Sequence, residues 1–225
     1  MSSRGKSDQF LYRIIRFDRL VQMLQTNLWH FAHPSAWEDP YETHITNSLS
    51  NTLFAQCWCR QGVSDAMWRI YSQDKLGVRI RTTEEKLTIA LLQATTKREL
   101  GFRTGKVRYV NELEYVGRAA RIRADLQRNV TFVRASAHLF LKRTAFSHEA
   151  ETRVVVFDPS QALDANAPGL KIELNSRQLI DSVLVDPRAP DEFVAAYKHY
   201  IQDHLKFTGS VKKSQLYRSG EKREV

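Results

Sequence analysis

The segment 148–158, HEAETRVVVFD, joins a charged start to an apolar run, and the rest of the chain is best interpreted outward from it. Its β-branched and aromatic residues predict a strand over 151–158. Since side chains alternate along a strand, one that starts by Glu149 would place Glu149, Glu151 and Arg153 on one face. The pattern fits a cleft whose acids stabilise a developing cation, or an exposed strand start in which Arg153 pairs with one glutamate.

Similar strand patterns, rich in aromatic and β-branched residues, occur on both sides of this segment. They cover 10–17, 29–33, 52–60, 76–82, 101–110, 170–174, 182–187 and 211–218. Helical patterns lie between them at 18–28, 64–71, 83–100 and 191–205, and 112–143 is typical of two helices or one long broken helix. The order lacks a sustained βαβ rhythm. It predicts an α+β fold, a single domain over 1–225 with a central mixed or antiparallel sheet, helices packed against it, and frayed ends at 1–9 and 219–225.

The composition excludes several classes of protein. Hydrophobic residues make up 42% of the 225 residues, which is too many for a disordered chain. No stretch approaches the roughly 20 apolar residues of a membrane span, and the N-terminus lacks the apolar core of a signal peptide. A cytoplasmic protein without a membrane partner is therefore predicted. The glycine-rich fingerprints of dinucleotide-binding and P-loop folds are absent.

The charge is strongly positive and unevenly distributed. The net charge is +9, and between Lys97 and Arg143 twelve basic residues face four acidic ones. Such a region attracts polyanions, although a solvated surface that keeps the protein soluble is equally consistent with it. The basic residues chosen as candidate nucleic-acid contacts are Arg118, Arg121, Arg123, Lys142 and Arg143.

Three further patterns are candidates for binding. Cys57 and Cys59 could supply two metal ligands, but no second thiol pair completes a zinc site, so two buried core thiols and no metal are predicted. The planar guanidinium of Arg13 on the first strand suits a phosphate or a carboxylate, or else reaches out to water. Trp68 and Tyr71 share a helix face, where they either stack on a ring or pack in the core.

Taken in chain order, several short motifs together resemble a known family. They are Leu11-Tyr12-Arg13-Ile14, Leu28-Trp29-His30-Phe31, Glu38-Asp39-Pro40-Tyr41-Glu42, Cys57-Trp58-Cys59, Met67-Trp68-Arg69-Ile70-Tyr71 with Gly77-Val78, Glu149-Ala150-Glu151-Thr152-Arg153 and Val211-Lys212-Lys213-Ser214. In this order they resemble the bacterial domain-of-unknown-function family 2971 over nearly the whole chain. The layout is also similar to that of ADP-ribosyltransferase-like folds.

The similarity to ADP-ribosyltransferases implies NAD as substrate. It assigns Glu151 as the carboxylate that stabilises the oxocarbenium-like state and Glu149 as the group that orients the acceptor, with Arg153 completing the catalytic motif. It also implies contacts of NAD with Tyr12, Arg13, Trp68 and Tyr71, of which Arg13 would hold the pyrophosphate. The basic region would hold a polyanionic acceptor such as nucleic acid, and the protein would serve as a toxin or phage-defence effector.

Two other functions stay open at this point. One is a non-catalytic nucleic-acid-binding protein that uses the same basic residues. The other is a metal-dependent nuclease built on Asp39, Glu42, Glu149 and Glu151, which ranks third because the sequence shows no lysine beside these acids. The sequence indicates no oligomeric state.

Overall fold

Residues 10–160 and 169–218 are described in the computed structural model. By their contacts they divide into two units. The first unit includes residues 10–27, 61–84 and 175–218, and the second includes 28–60, 85–160 and 169–174. Within the described ranges, no helix combines the length and the apolar character that a membrane crossing requires. The predicted frayed ends lie outside the described residues.

Strands and helices are interspersed along the chain. In chain order, the strands are β1 (Phe10–Ile15), β2 (Leu28–Ala32), β3 (Leu53–Cys59), β4 (Val78–Thr83), β5 (Gly101–Lys106), β6 (Arg108–Val110), β7 (Leu141–Arg143), β8 (Glu151–Phe157), β9 (Gly169–Glu173), β10 (Ser182–Val185) and β11 (Ser210–Lys213). The α-helices are α1 (Phe17–Thr26), α2 (Asp65–Tyr71), α3 (Glu84–Thr95), α4 (Glu112–Arg128), α5 (Phe132–Ala135), α6 (Ser176–Leu179) and α7 (Asp191–His199).

The first unit contains a mixed sheet in the order β11-β10-β4-β1. β10 runs parallel to β11 and antiparallel to β4, and β4 is antiparallel to β1 with Arg13 opposite Ile80. Helix α1 ends where Asn27 adopts a left-handed conformation, φ 57°, which terminates the helix. The Ser176 hydroxyl donates to the Met23 carbonyl at 2.6 Å and so ties the start of α6 to α1.

Helix α2 of the first unit is fixed at both ends. The Ser64 hydroxyl caps its N-terminus by accepting a hydrogen bond from the Met67 amide. At its C-terminus the Arg188 guanidinium donates to the carbonyls of Trp68 and Ser72 at 3.0 and 2.7 Å. Trp68 points into the core and is 1% exposed. This short helix therefore depends on tertiary contacts as well as on its own hydrogen bonds.

The second unit contains an antiparallel sheet in the order β5-β8-β3-β2-β9. Every residue of β8 from Glu151 to Val156 is buried. In its pairing with β3, Cys57 lies opposite Arg153 and Cys59 opposite Glu151. A strand that is buried on both faces is typically a continuous apolar run, which explains the Val154-Val155-Val156 segment.

Helix α4 covers part of the core of the second unit. The Asn111 side chain caps its first turn by accepting from the Glu114 amide at 2.9 Å. Its buried face contributes to a cluster that also draws on β3, β7 and β8. The buried members of this cluster are Ile45, Leu53, Ala55, Val110, Tyr115, Ala119, Leu126, Ala135, Leu139, Phe140, Leu141 and Val155.

The predicted α+β class, with a mixed or antiparallel sheet and packed helices, is confirmed, whereas a single domain over 1–225 stays a prediction. Several boundaries differ from the prediction, and two segments were interpreted wrongly. The strand predicted over 101–110 is divided into β5 and β6, because Val107 leaves the first pairing and its amide donates to the Glu151 carbonyl. The helical pattern of 112–143 ends early, and residues 141–143 form β7, which pairs in parallel with β6.

Candidate functional site: a buried carboxylate cluster

The parallel pair β6–β7 brings a lysine to the charged start of β8. Tyr109 lies opposite Lys142 in this pair. A 3₁₀ turn over Thr144–Glu149 then reverses the direction of the chain. It brings Glu149 and Glu151, which follow Lys142 by seven and nine positions, back into contact with that lysine. The Glu151 amide donates to the Tyr109 hydroxyl at 2.8 Å, which fastens the start of β8 to β6.

Ala150 determines how the two glutamates are arranged. Its φ of 44° and ψ of 50° place it in the left-handed region, which costs a non-glycine residue roughly 1–2 kcal/mol. The Arg60 amide and Nε both donate to the Ala150 carbonyl at 3.1 Å and hold this conformation. β8 therefore begins at Glu151, which agrees with the strand predicted over 151–158, and the condition that the strand is already extended at Glu149 is not met. The turn, rather than strand alternation, brings the two carboxylates together.

Lys142 lies between these carboxylates. Its Nζ donates to Glu149 Oε2 at 2.6 Å and to Glu151 Oε1 at 2.7 Å. The same Nζ is 3.7 Å from Oε2 of Glu42, which lies in the 3₁₀ turn Pro40–Glu42. All four side chains are buried, with Glu149 6% and Glu151 4% exposed. One ammonium thus links three carboxylates from two separate parts of the chain.

Arg153 supplies the second cation. Its Nε donates to Glu151 Oε2 at 2.5 Å, its Nη2 is ion-paired with Glu42, and its Nη1 donates to the Leu139 carbonyl at 2.8 Å. The guanidinium also lies over the Trp37 ring at 4.4 Å. Arg153 is 1% exposed, so its charge is neutralised almost entirely by protein groups. Together, Glu42, Lys142, Glu149, Glu151 and Arg153 form the carboxylate cluster.

The charges of the carboxylate cluster do not balance when every group is ionised, because three carboxylates meet two cations. One bound proton makes the cluster neutral, which burial favours. Burial raises the pKa of Glu149 to about 8, and its hydrogen bond with Glu151 acts in the same direction. Burial opposes ionisation of Glu151, but the hydrogen bond with Glu149 and the charge of Arg153 lower its pKa below the usual range. The two neighbouring carboxyls therefore differ in protonation near neutral pH.

Basic and aromatic side chains adjoin the carboxylate cluster. Lys142 Nζ is 4.8 Å from the centre of the Phe146 ring, and the Arg143 guanidinium lies 4.2 Å from that of Tyr41 and 5.5 Å from that of Phe146. Arg143 Nη2 also donates to Asp39 Oδ1 at 3.0 Å. About a quarter of the Arg143 side chain is exposed, so it can still meet an anion from solution.

The position of Lys142 does not match the nucleic-acid contact predicted for it. It was assigned to nucleic-acid contact, but it is 6% exposed and ion-paired on several sides, so in this structure its ammonium faces carboxylates rather than solvent. The lysine whose absence counted against a nuclease is therefore present beside the acids in space. The signal that could have revealed it is a lone lysine that directly follows the apolar run Leu139-Phe140-Leu141.

The nuclease hypothesis stays the third alternative. The Lys142 ammonium occupies the position between the carboxylates that a cation would need. In residues 10–160 and 169–218 no group of three or more His, Cys, Asp or Glu side chains is arranged to hold a metal ion. Cys59 is buried and Cys57 is half-buried, and neither forms a disulfide.

The residues predicted to contact NAD lie in the first unit, whereas Glu149, Glu151 and Arg153 lie in the second. The Trp68 side chain is buried in the core, which matches the core-packing alternative, so its ring is not exposed for stacking in this structure. Tyr12 and Arg13 are half-buried, and Tyr71 is 47% exposed. The Arg79 guanidinium lies over the Tyr12 ring at 4.6 Å. The roles of Tyr12, Arg13 and Tyr71 toward NAD stay predictions.

Three of the predicted nucleic-acid contacts lie on α4. Arg118 pairs with Glu114 one turn earlier on the helix, at 2.7 Å between Nη2 and Oε1. Arg121 and Arg123 are exposed. The positions of these two arginines permit contact with a polyanion, which stays a prediction.

Comparisons with known proteins give a family-model match to part of the chain and a set of similar structures. A family model described as "Protein of unknown function (DUF2971)" matches residues 67–154, which confirms the resemblance for the motifs within that range. No curated protein sequence matches the chain.

Solved structures of Thermus sp. 2.9 DarT are similar over nearly the whole length of both chains. The complex with carba-NAD+ has 12% identity and a TM-score of 0.41, covering 93% of this chain and 97% of that one. The complex with NAD+ has 12% identity and a TM-score of 0.42, covering 94% and 98%. The complex with ADP-ribosylated ssDNA has 11% identity and a TM-score of 0.44, covering 96% and 98%. Likeness at this level carries no argument about the activity of this chain.

Proposed function

We propose that this protein is an ADP-ribosyltransferase-like enzyme that consumes NAD and transfers ADP-ribose to a nucleic acid. The observation that carries the proposal is the pair Glu149–Glu151, two carboxyls that one ammonium holds together and whose environments drive their protonation apart. Paired carboxyls of unequal pKa are a recurring arrangement for acid–base and charge-stabilising roles in one site.

The chemistry of NAD suits such a pair. The bond between ribose and nicotinamide is an N-glycosidic bond to a positively charged ring, so the ring leaves as a neutral molecule and needs no proton. Positive charge then develops on the ribose, and a fixed negative charge is what stabilises it. In the proposal Glu151, kept ionised by Arg153 and Lys142, supplies that charge.

Glu149 has the complementary role. Near neutral pH it keeps a proton and can donate a hydrogen bond to a hydroxyl of the substrate. Once ionised, it can take a proton from the acceptor that attacks the ribose. Because burial raises the pKa of Glu149 to about 8, the transfer rate should rise as the pH increases through that value.

The test is release of nicotinamide from NAD, followed by chromatography, with and without a single-stranded oligonucleotide. Glu151→Gln should lower the rate by roughly 10²–10³, the usual loss when one charge-stabilising group is removed. Glu149→Gln should lower it and abolish the rise with pH, because the amide does not titrate. The control is Glu173→Gln, which removes an exposed carboxylate of β9 in the same unit. Full activity in both cluster variants would overturn the proposal.

Glu151→Gln disturbs a buried ion network, so its fold needs an independent measurement. Near-ultraviolet circular dichroism and thermal unfolding of each variant provide it. Glu149→Gln serves as the second variant, because the amide matches a protonated carboxyl in shape and in hydrogen bonding. Lost turnover in a folded Glu149→Gln protein would support the proposal even if Glu151→Gln unfolds.

A toxin or phage-defence role forms the finer part of the proposal. Consumption of NAD or modification of nucleic acid would slow the growth of a cell that expresses the protein. Expression in a bacterial host should therefore reduce growth, and Glu151→Gln should relieve the effect at an equal protein level. Equal growth with both proteins would argue against this role.

The second candidate is a nucleic-acid-binding protein without catalysis. The observation that favours it is the burial of both glutamates in a closed ion network, a state that stabilises structure without any substrate. It predicts oligonucleotide binding that weakens steeply with salt and is unaffected by NAD. Absence of NAD turnover in a protein that binds oligonucleotides would select this candidate.

A further inference from the structure

The two faces of the sheet in the first unit differ in character. Because side chains alternate along a strand, the register assigns Leu11, Ile80, Val183 and Val211 to one face, and none of them is more than 4% exposed. The residues on the opposite face are all half-buried or exposed. Those that form the basic-aromatic face are Phe10, Tyr12, Arg79, Arg81, Ser182 and Lys212.

Two arginines of the basic-aromatic face are stacked on rings of the neighbouring strand. The Arg79 guanidinium lies 4.6 Å from the centre of the Tyr12 ring, and the Arg81 guanidinium lies 4.6 Å from the centre of the Phe10 ring. Stacking restrains the plane of a guanidinium, while the N–H groups at its edge are the ones that bind a phosphate in pairs. The two arginines are two positions apart on β4, which places them roughly 7 Å apart along the strand. This distance is comparable with that between successive phosphates of an extended single strand.

The two stacked rings differ in what they can still contact. The hydroxyl end of Tyr12 is covered by the chain at Gly62, where an added Cβ would lie 3.0 Å from the hydroxyl oxygen. Phe10 is 40% exposed even though the Arg81 guanidinium lies over its ring. The Arg81 side chain is 37% exposed. A planar group from solution can therefore meet an aromatic surface at Phe10 and a positive charge beside it.

The charge of the basic-aromatic face is positive. Lys212 of β11 is exposed and adds a third cation to Arg79 and Arg81. Among the described residues that the register assigns to this face, none is acidic. Asp181 lies beside the face, with its Oδ2 4.0 Å from Arg81 Nε, which is too long for a hydrogen bond. Three cations next to one carboxylate leave a net positive charge, which favours an anionic partner.

These features together favour a single-stranded nucleic acid as the partner. Its unpaired bases can stack on a ring or on a guanidinium plane, and its phosphates can meet the edges of the arginines. A duplex hides the faces of its bases and is recognised by an element that enters a groove, which the face of a sheet does not provide. An anionic membrane surface is bound by apolar side chains that insert between the lipids. Here the two rings instead lie under arginines.

We propose that the basic-aromatic face binds a single-stranded nucleic acid, with a base stacked at Phe10 and phosphates along Arg79, Arg81 and Lys212. This surface lies outside the basic region between Lys97 and Arg143. The inference rests on the proposed function, because it names a surface that would hold the acceptor strand. Binding itself requires neither NAD nor Glu151.

The experiment is fluorescence anisotropy of a labelled single strand of roughly 12 nucleotides, a length in the usual range of single-strand sites. It is performed with DNA and with RNA, without NAD, at several salt concentrations. Arg81→Gln should reduce the slope of log affinity against log salt by about 0.7, the value for one phosphate contact of a single strand. Phe10→Leu keeps an apolar side chain but removes the ring, and it should weaken binding about fivefold or more, as expected when one stacked base is lost.

Matched controls in the same unit separate this face from general charge and general apolar surface. Arg19→Gln removes an exposed arginine of α1, and Phe193→Leu removes a ring of α7 that is 45% exposed. Neither residue belongs to the basic-aromatic face or to the predicted contacts with NAD or nucleic acid. Both controls should leave the salt slope unchanged and shift the affinity only slightly. Thermal unfolding of each variant tests whether its fold is intact.

A second measurement uses the wild-type protein and so does not depend on the folding of a variant. A single strand that contains iodouridine is crosslinked by ultraviolet light, and the protein is then digested with trypsin and analysed by mass spectrometry. The expected crosslink lies in the peptide 7–13, which contains Phe10 and Tyr12. Crosslinks confined to other peptides would contradict the proposal.

The outcomes distinguish this inference from the proposed function. Selective weakening by Arg81→Gln and Phe10→Leu supports the basic-aromatic face. Equal effects of these variants and their controls, equal affinity for duplex and single strand, or no strand binding at low salt would overturn it. Binding to phosphatidylserine vesicles without binding to a strand would also overturn it.

If NAD is turned over and Glu151→Gln abolishes that activity, any of the contrary results removes the basic-aromatic face alone. If Arg81→Gln and Phe10→Leu weaken strand binding but no protein turns over NAD, the face stands and the enzyme proposal fails.

Discussion

Glu149→Gln gives the sharpest test of the carboxylate cluster, because the substitution replaces a titrating group by a neutral one of nearly the same shape. In the native protein burial raises the pKa of Glu149 to about 8, against 4.5 for an ordinary glutamate. Between these two pH values the native state holds a proton that the unfolded chain has released. The free energy of unfolding of the wild type must therefore fall as the pH rises.

The size of the effect follows from the two pKa values. At about 1.4 kcal/mol per pH unit, the linkage relation gives a loss of about 4 kcal/mol from the wild type between pH 5 and pH 9. Glu149→Gln lacks this loss, since its amide accepts from Lys142 and donates to Glu151 at every pH. Glu151 does not alter the difference, because its pKa is lowered and its contribution is already complete above pH 5.

The assay is urea unfolding of both proteins at pH 5, 7 and 9, with Glu173→Gln as the control for loss of an exposed carboxylate. Groups that titrate equally in the two proteins cancel in the difference between them. We expect nearly equal stability at pH 5 and a variant that is more stable by several kcal/mol at pH 9. A difference that stays constant within about 0.5 kcal/mol over this range would refute the shared buried proton.

Three further substitutions test other parts of the structure. Ala150→Gly should raise the free energy of unfolding, measured in urea, by up to about 1 kcal/mol, and Ala150→Val should lower it by roughly 1–3 kcal/mol. The reason is that only the left-handed conformation of residue 150 joins the two glutamates. Equal stability of the two variants would argue against that conformation. Lys142→Met should lower the free energy of unfolding by about 3–5 kcal/mol, and by more at pH 8 than at pH 5, because the substitution leaves buried carboxylates without their ammonium. An unchanged unfolding curve would contradict the ion network of the carboxylate cluster. Trp68→Ala should lower the free energy of unfolding by about 3–5 kcal/mol, because it leaves a cavity in the core. Trp68→Phe should leave NAD affinity, measured by calorimetry, unchanged. A tenfold weaker affinity of that variant would favour the stacking role.

The predictions that succeeded depend on local patterns. The β-branched run of 154–156 specifies a buried strand through its own side chains, and the helical pattern of 64–71 contains its own capping residue, Ser64. The α+β class follows from the order of such segments. The predictions that failed concern pairing between distant segments. β7 was missed because three residues after a helical pattern carry too little information to indicate a strand, and its partner β6 lies more than 30 positions earlier.

The sequence by itself determined the class of fold and the concentration of positive charge between Lys97 and Arg143, and it pointed to Glu149, Glu151 and Arg153 as a candidate group. Only the tertiary structure decided what that group is, because an ion pair depends on distance and burial, and neither is encoded in spacing along the chain. The left-handed turn at Ala150 and the pairing of β6 with β7 place Lys142 within 2.7 Å of both glutamates. Burial then leaves three carboxylates and two cations to share one proton, which no local pattern predicts.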